Sequence, residues 1–278
     1  MQAIAIMAVG CLLAGLTTSQ WAYSVKGQRT MLLLTLAVLS AIYFQFYAAG
    51  QLFWAEWVSS SAAIIYTNMA AVLAALAAGW AWRLPKIPPL RRAVLTLLLS
   101  LMCLATLLWP LLSIAVRPPP LGGNRWHNGV AMQTSWATCS PAAAATLFRA
   151  LNIDTSEAEL VPLCLTDSSG TPTLGLYRGV KLIAQREARA TQIVNRSLDK
   201  LLTANAWPVL LAVELPYGTE DRRYAEQWGW IPGMGHSVVV LDRTPDGGVL
   251  VADPSVGLER WTVADLRLLW HGDGIRVY

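Results

Sequence analysis

The sequence predicts two joined parts: a multi-pass α-helical membrane domain, then an α+β domain whose helices come first and whose antiparallel sheet follows. Three observations carry that prediction. Four long apolar runs without a single ionisable residue fall before residue 117. A segment rich in Pro and Gly ends that region, and charge becomes ordinary beyond it. The final third holds short β-branched runs punctuated by Gly, Pro and Asp, which is strand and turn chemistry.

The runs are Ile4–Thr18, Met31–Ala49, Ala62–Trp82 and Ala93–Val116. Crossing a hydrocarbon core takes about 20 apolar residues, a length the first run reaches when it is extended to Tyr23. No helical polar face interrupts any of them, so they do not read as amphipathic helices of a soluble core. Trp21, Trp54, Trp57, Trp80, Trp82 and Trp109 lie in or near their ends, where interfacial aromatics belong. The first run lacks the basic segment of a secretory signal and has a poor cleavage site at Thr17-Thr18-Ser19, so it reads as a retained helix. The same missing basic segment argues against a lipoprotein signal at Gly10-Cys11. The only strongly polar side chains within the runs are Gln45 and Asn68, which favours an anchor or platform over a transport pathway.

Averages hide this division. The whole chain of 278 residues is 14% charged with a net charge of +4, against about 25% charged for an ordinary soluble domain. Residues 1–116 hold six Lys and Arg and one acid, whereas residues 117–278 hold 15 and 16, so the halves contribute +5 and −1. The basic excess is therefore a topology signal, and nucleic acid drops out as a partner. Lys26 and Arg29 mark the first connection, and Arg83, Lys86, Arg91 and Arg92 the third; the second, Gly50–Ser61, carries only Glu56. The positive-inside rule puts connections one and three in the cytoplasm. The N-terminus and everything after Val116 are then expected outside.

Residues 117–130 read as a linker, a stiff Pro118-Pro119-Pro120 followed by flexible Gly122-Gly123. In residues 131–278, Ser140–Leu151 is an Ala-rich helix with Pro141 in its first turn. Ser156 caps a second helix, with Glu159 as its capping-box partner. Leu174–Arg186 and Ser197–Ala206 are the third and fourth. Strands follow at Pro208–Leu215, Ser237–Asp242 and Val249–Ala252, the last two joined by the turn residues Pro245-Asp246-Gly247-Gly248. A short helix, Thr262–Trp270, and a closing strand, Gly274–Tyr278, complete an α+β order.

Four Cys in this length exclude a disulfide-framework mini-protein, and no Cys-x-x-Cys pair occurs. Three His and two Cys in the second half lack zinc spacing, so no metal or cofactor is expected. One Cys stands apart. Cys139 opens the Ala-rich helix, where the positive end of the helix dipole favours the nucleophilic thiolate. Gln133, six residues upstream, offers a side-chain N–H that, with the Cys139 backbone N–H, suits an oxyanion hole. His236 follows Gly233-Met234-Gly235 and opens a strand, where it serves as base and then acid. Asp253 ends the next strand and orients the imidazole. Between strands, Tyr217–Trp230 reads as a lid or substrate-contacting loop, which makes Trp228, Trp230 and Gly235 candidate substrate contacts. Trp136 is expected to pack beneath the active-site helix. Cys164, Cys11 and Cys103 read as packing residues.

This ordered set, Gln133-x5-Cys139 with a helix after it, Gly235-His236 before a β-branched strand, and Val251-Ala252-Asp253-Pro254, resembles the C39 family of papain-like bacterial cysteine peptidases and its C39-like relatives. Thr166–Leu176 also resembles a segment of that family, and the match spans residues 132–256. The resemblance implies a papain-like fold and a Cys-His-Asp thiol peptidase acting on a peptide or protein; together with the four apolar runs it gives an expected place in the bacterial cytoplasmic membrane. It implies Cys139 as nucleophile, His236 as base, Asp253 as orienting group and Gln133 in the oxyanion hole. Two departures stand out. Ser140 occupies the position where the family usually has Gly, a change expected to alter helix approach or fit without touching the chemical groups. Well-known members are cytoplasmic, fused to an ATP-driven peptide exporter, and cut leader peptides after a double Gly; here the domain follows four helices and faces outward. Two other readings fit the same residues: a thiol acyltransferase or amidase, and a catalytically silent peptide-binding or assembly module of a secretion complex.

Overall fold

The apolar runs are largely helical, a form in which the backbone satisfies its own N–H and C=O groups. The computed structural model describes residues 2–25, 27–194 and 197–278. Lys26, one of the two cations of the first connection, lies outside the described residues. Four described helices are long and apolar enough to cross a membrane. They are α1 (Gln2–Trp21), α2 (Gln28–Tyr43, prolonged by a wider turn Phe44–Ala48), the pair α4 (Ala63–Tyr66) and α5 (Met69–Trp82), and α6 (Pro89–Val116). The third run is not continuous. It breaks at Thr67-Asn68, where Asn68 Oδ1 accepts from the Ala71 N–H (3.4 Å) and Asn68 Nδ2 donates to the Thr106 carbonyl (2.8 Å). A short α3 (Trp54–Trp57) lies in the second connection.

The chain divides into two compact units. The first takes residues up to Gln51 together with Ala62–Leu112. Its centre is α5, whose Ala70, Ala71, Ala74, Ala77 and Ala81 are fully buried or nearly so. Small residues let the helices close on one another: a Cβ at Gly79 would collide with the Thr18 hydroxyl and the Gly15 carbonyl of α1. Outward, the unit presents Leu12, Leu13, Leu16, Leu32, Leu36, Leu97, Leu98 and Leu101, each at least half exposed.

The second unit takes Leu52–Ser61 and Ser113–Tyr278. It opens with a small hairpin, β1 (Trp126–His127) and β2 (Val130–Ala131). Then come α7 (Cys139–Ala150), α8 (Glu157–Leu163), α9 (Thr173–Arg186), β3 (Thr191–Val194) and α10 (Leu198–Ala204). The remainder is β4 (Val209–Glu214), β5 (Gly235–Arg243), β6 (Val249–Asp253), β7 (Gly257–Trp261), α11 (Val263–Leu269) and β8 (Trp270–Val277). Six strands form one antiparallel sheet in the order β3-β8-β4-β5-β6-β7.

Alternation on the sheet sets two layers. Val209, Leu211 and Val213 of β4, with Val238 and Val240 of β5, meet Leu201 of α10, Leu266 and Leu269 of α11, and Tyr224 and Trp230 of the loop before β5. The opposite face of β4 and β5 carries α7. Residues Cys139 to Phe148 of α7 are all buried, four consecutive Ala among them, and these small side chains let the helix lie close on the sheet. Ser156 caps α8 as expected, accepting from the Glu159 N–H (3.2 Å), but the Glu159 carboxylate is spent on Thr155 (2.9 Å) and Arg186 (2.6 Å).

The expected loose linker is pinned. Buried Glu157 accepts the Gly123 N–H (2.8 Å) with one oxygen, and the Thr134 N–H (2.8 Å) and hydroxyl (3.1 Å) with the other. Arg117 pairs with buried Asp167 at 2.7 Å. A buried carboxylate that receives several donors holds them in place, so Gly123 has no freedom to swing.

Candidate active site

Cys139 is the first residue of α7, reached through a tight turn, Trp136–Thr138. Ser135 and Thr138 cap that turn reciprocally, Ser135 Oγ accepting from the Ala137 N–H (3.3 Å) and Thr138 Oγ1 from the Ser135 N–H (3.1 Å). The thiol therefore sits at the positive end of a 12-residue helix, nearly buried.

His236 is the second residue of β5 and pairs across the ladder with Val213. Its Nε2 lies 2.8 Å from Asp253 Oδ1. An ionised carboxylate only accepts, so Nε2 carries the proton and Nδ1 is left for the thiol, which hydrogen-bonds the imidazole. Asp253 ends β6 and is fully buried with its charge satisfied on every side. Oδ1 also accepts from the Ser255 N–H and hydroxyl (2.7 Å each), and Oδ2 accepts from Trp230 Nε1–H (2.9 Å).

Electrostatics follow from this order. Burial pushes the Cys139 thiol upward, but the hydrogen bond and charge of His236 outweigh it and hold the thiol below its ordinary value. Burial pulls the imidazole down, and the charge and hydrogen bond of Asp253 overcome that and raise it. Burial also opposes ionisation of Asp253, whose acidity is nonetheless strengthened by His236 and by both Ser255 donors. The three shifts together favour a thiolate–imidazolium pair.

The thiol opens on a cleft of about 390 Å³. Trp136, Ser140 and the Ser169–Thr171 loop line it on the helical side; Ala212, Glu214, Met234, Gly235, Ser237, His271 and Asp273 do so on the sheet side. His271 reaches the cleft because β8 bulges there. Ala212 pairs with Asp273 and Val213 with Trp270, which leaves His271 and Gly272 without partners on β4. Gly272 takes φ +103°, a backbone region that suits glycine.

Cys139, His236 and Asp253 are thus brought together, and Gly235 lines the cleft. Gln133 is tied to the same corner through its backbone N–H, which donates to the Pro254 carbonyl (2.9 Å). Its side-chain Oε1 is buried without a hydrogen-bond partner among the described residues. The expected substrate contacts Trp228 and Trp230 stand elsewhere, and this corrects the sequence reading. Trp228 stacks on Trp261 (5.6 Å between centroids), while Trp230 is buried edge-on to the His236 ring (4.7 Å) and bonds Asp253. The loop that carries them is anchored rather than free: Tyr224 donates to Asp265 (2.5 Å), and Arg223 bridges Asp221 and Asp265.

Trp136 moves the other way. Expected beneath the helix, it is 56% exposed on the cleft rim. Ser140 also departs from expectation, because its hydroxyl does touch the chemical groups: Oγ lies 3.9 Å from Cys139 Sγ and 2.8 Å from Ser237 Oγ. Cys164 is fully buried, its thiol is free, and burial pushes its pKa up to about 12, so it is an inert packing residue.

No family model matches the chain, and no curated protein does. Among solved structures, the chain is similar to the peptidase domain of Streptococcus ComA, a bi-functional ABC transporter involved in a quorum sensing pathway. That match has 21% identity, covers 54% of this chain and 98% of the other, and has a TM-score of 0.42. A double glycine motif protease from an AMS/PCAT transporter, in complex with the leader peptide, matches with 13% identity over 58% of this chain and 96% of the other, at a TM-score of 0.42. The peptidase domain of Streptococcus mutans ComA matches with 19% identity over 54% and 98%, at a TM-score of 0.37.

Proposed function

We propose that the protein is a membrane-anchored, papain-like cysteine peptidase that cleaves a peptide or protein amide bond at the outer face of a bacterial cytoplasmic membrane. The observation that carries this reading is the hydrogen-bonded order Cys139, His236, Asp253 at the N-terminus of a helix, opening on a cleft. The thiolate attacks the amide carbonyl, and the oxyanion forms beside the Cys139 backbone N–H and the Gln133 side chain. His236 passes its Nδ1 proton to the leaving amine, which departs and leaves a thioester. His236, now neutral, takes a proton from water, and the hydroxide so formed releases the acid and frees the thiol. Asp253 remains ionised throughout, since it orients the imidazole and offsets its charge.

Four helices of spanning length support the anchor, and the charge-poor second connection against a basic first and third supports the outward orientation. Leu52–Ser61 of the second connection falls in the same compact unit as the catalytic residues, which fits both lying on one side of a membrane.

The test is a thiol-directed irreversible probe applied to the full-length protein at neutral pH, with site-resolved readout of Cys139. Fast labelling that is lost in Cys139→Ala and slowed at least tenfold in His236→Ala is expected. Equal slow labelling in the wild type and His236→Ala sinks the reading. A reporter fused after Tyr278 should be accessible from outside; cytoplasmic protection overturns the orientation.

A further inference from the structure

We infer that Ser140 is a further catalytic residue: its hydroxyl, oriented by Ser237, donates to the Cys139 thiolate and holds it independently of His236. The inference rests on the assignment of Cys139 as nucleophile. Ser140 follows Cys139 in the first turn of α7, so its side chain leaves the helix beside the sulfur, with Oγ 3.9 Å from Sγ. Ser237 comes from the sheet, one residue after His236 and opposite Ala212 on the cleft side of β4. The two hydroxyls meet at 2.8 Å, and both side chains are buried at the wall of the cleft.

A buried hydroxyl needs a partner for its proton. Ser237 donating to Ser140 leaves the Ser140 proton directed at the sulfur, and the chain of two donors ends on the thiolate. Ser237 contributes a second time, since its backbone N–H also hydrogen-bonds the thiol. Hydrogen bonds polarise one another in series, and donors to a charged acceptor are the stronger kind. The glycine usual at this position in the family that the sequence resembles has no hydroxyl to offer. Ser140 therefore lets this site keep a thiolate at pH values where a His-only arrangement begins to lose it.

The experiment measures alkylation of Cys139 by iodoacetamide in the full-length protein, resolved by mass spectrometry from the other three thiols, from about pH 4 to about pH 9. The acid limb of the wild-type rate profile should lie well below that of a free thiol. Ser140→Ala, Ser140→Gly and Ser237→Ala should each move that limb upward by about half a pH unit, about threefold in rate on the limb. Ser140→Thr, which keeps the hydroxyl, should restore it. The double variant Ser140→Ala/Ser237→Ala should shift no further than Ser140→Ala, because the hydroxyls act in one chain. Profiles of all variants that superimpose on the wild type overturn the inference while leaving the peptidase reading intact. A wild-type limb at the ordinary thiol value, unmoved in His236→Ala, instead removes the peptidase reading itself. Fully additive shifts overturn the series arrangement.

Discussion

The two units solve opposite solvation problems. In the first, large apolar side chains face outward along α1, α2 and α6, while small alanines fill the centre. In the second, the four buried acids of the described residues, Glu157, Asp167, Asp253 and Asp265, sit inside the fold, each met by N–H or O–H donors or an arginine. The first arrangement suits the apolar surroundings of the proposed anchor, since each Leu left in water forgoes about 1.5–3 kcal/mol of burial. The second shows where chemistry belongs: charge is taken out of water only where donors have been arranged for it.

Four substitutions probe that contrast, from the largest expected effect to the smallest. Asp253→Asn attacks the most heavily satisfied acid. Whichever way the amide turns, its NH2 faces either the Trp230 N–H or the His236 and Ser255 donors, and in both cases the imidazolium loses the charge that offsets its own. Labelling of Cys139 at neutral pH should fall by about 10²–10⁴; an unchanged rate would remove Asp253 from the mechanism. Leu101→Asp tests the other unit. Leu101 is 52% exposed in the middle of α6. In water such a change is worth about 0.5 kcal/mol or less, but within a bilayer it costs about 2.5–3.5 kcal/mol. A marked drop in the carbonate-resistant membrane fraction is expected, and wild-type recovery would argue for an aqueous surface.

Glu157→Gln sharpens the comparison without touching catalysis. One of the two donor groups at Gly123 and Thr134 then faces an amide NH2, at about 1–3 kcal/mol. Thermal unfolding of the full-length protein in detergent should shift down by a few degrees, with the wild-type rate of Cys139 labelling retained below the transition.

The smallest effect is a pH dependence at Glu259. Burial, reinforced by the nearby charge of Asp253, pushes its pKa up to about 7. Between its unfolded value, about 4.3, and 7 the native state holds a proton that the unfolded state has released, so stability falls as pH rises through that window. Glu259→Gln should flatten that segment of the melting temperature against pH; an identical slope would show that the carboxyl is not held neutral.

Much was legible without coordinates, for reasons tied to particular residues. Helix α8 announced itself through Ser156, α7 through Cys139-Ser-Pro141 and its alanines, and the β5–β6 turn through Asp246-Gly247-Gly248. Strands β3 and β7 were missed because Thr191-Gln-Ile-Val194 and Gly257-Leu-Glu-Arg-Trp261 carry little apolar alternation, and they exist as strands because their neighbours supply the ladder. The tryptophans were inverted, Trp136 being outside and Trp228 and Trp230 inside. Their directions depend on the turns Trp136–Thr138 and Arg223–Gln227, whose geometry no periodicity encodes.

By itself, the sequence determined the apolar runs, the charge asymmetry between the halves and the order of the Cys, His and Asp, because composition and local spacing suffice for those. Only the tertiary structure decided that Trp230 serves Asp253, that the β8 bulge turns His271 into the cleft, and that Ser140 meets Ser237. These contacts join residues between 23 and 97 positions apart or hinge on a local break in strand register. Such pairings are set by how layers pack and strands align, and no local preference of the chain specifies them.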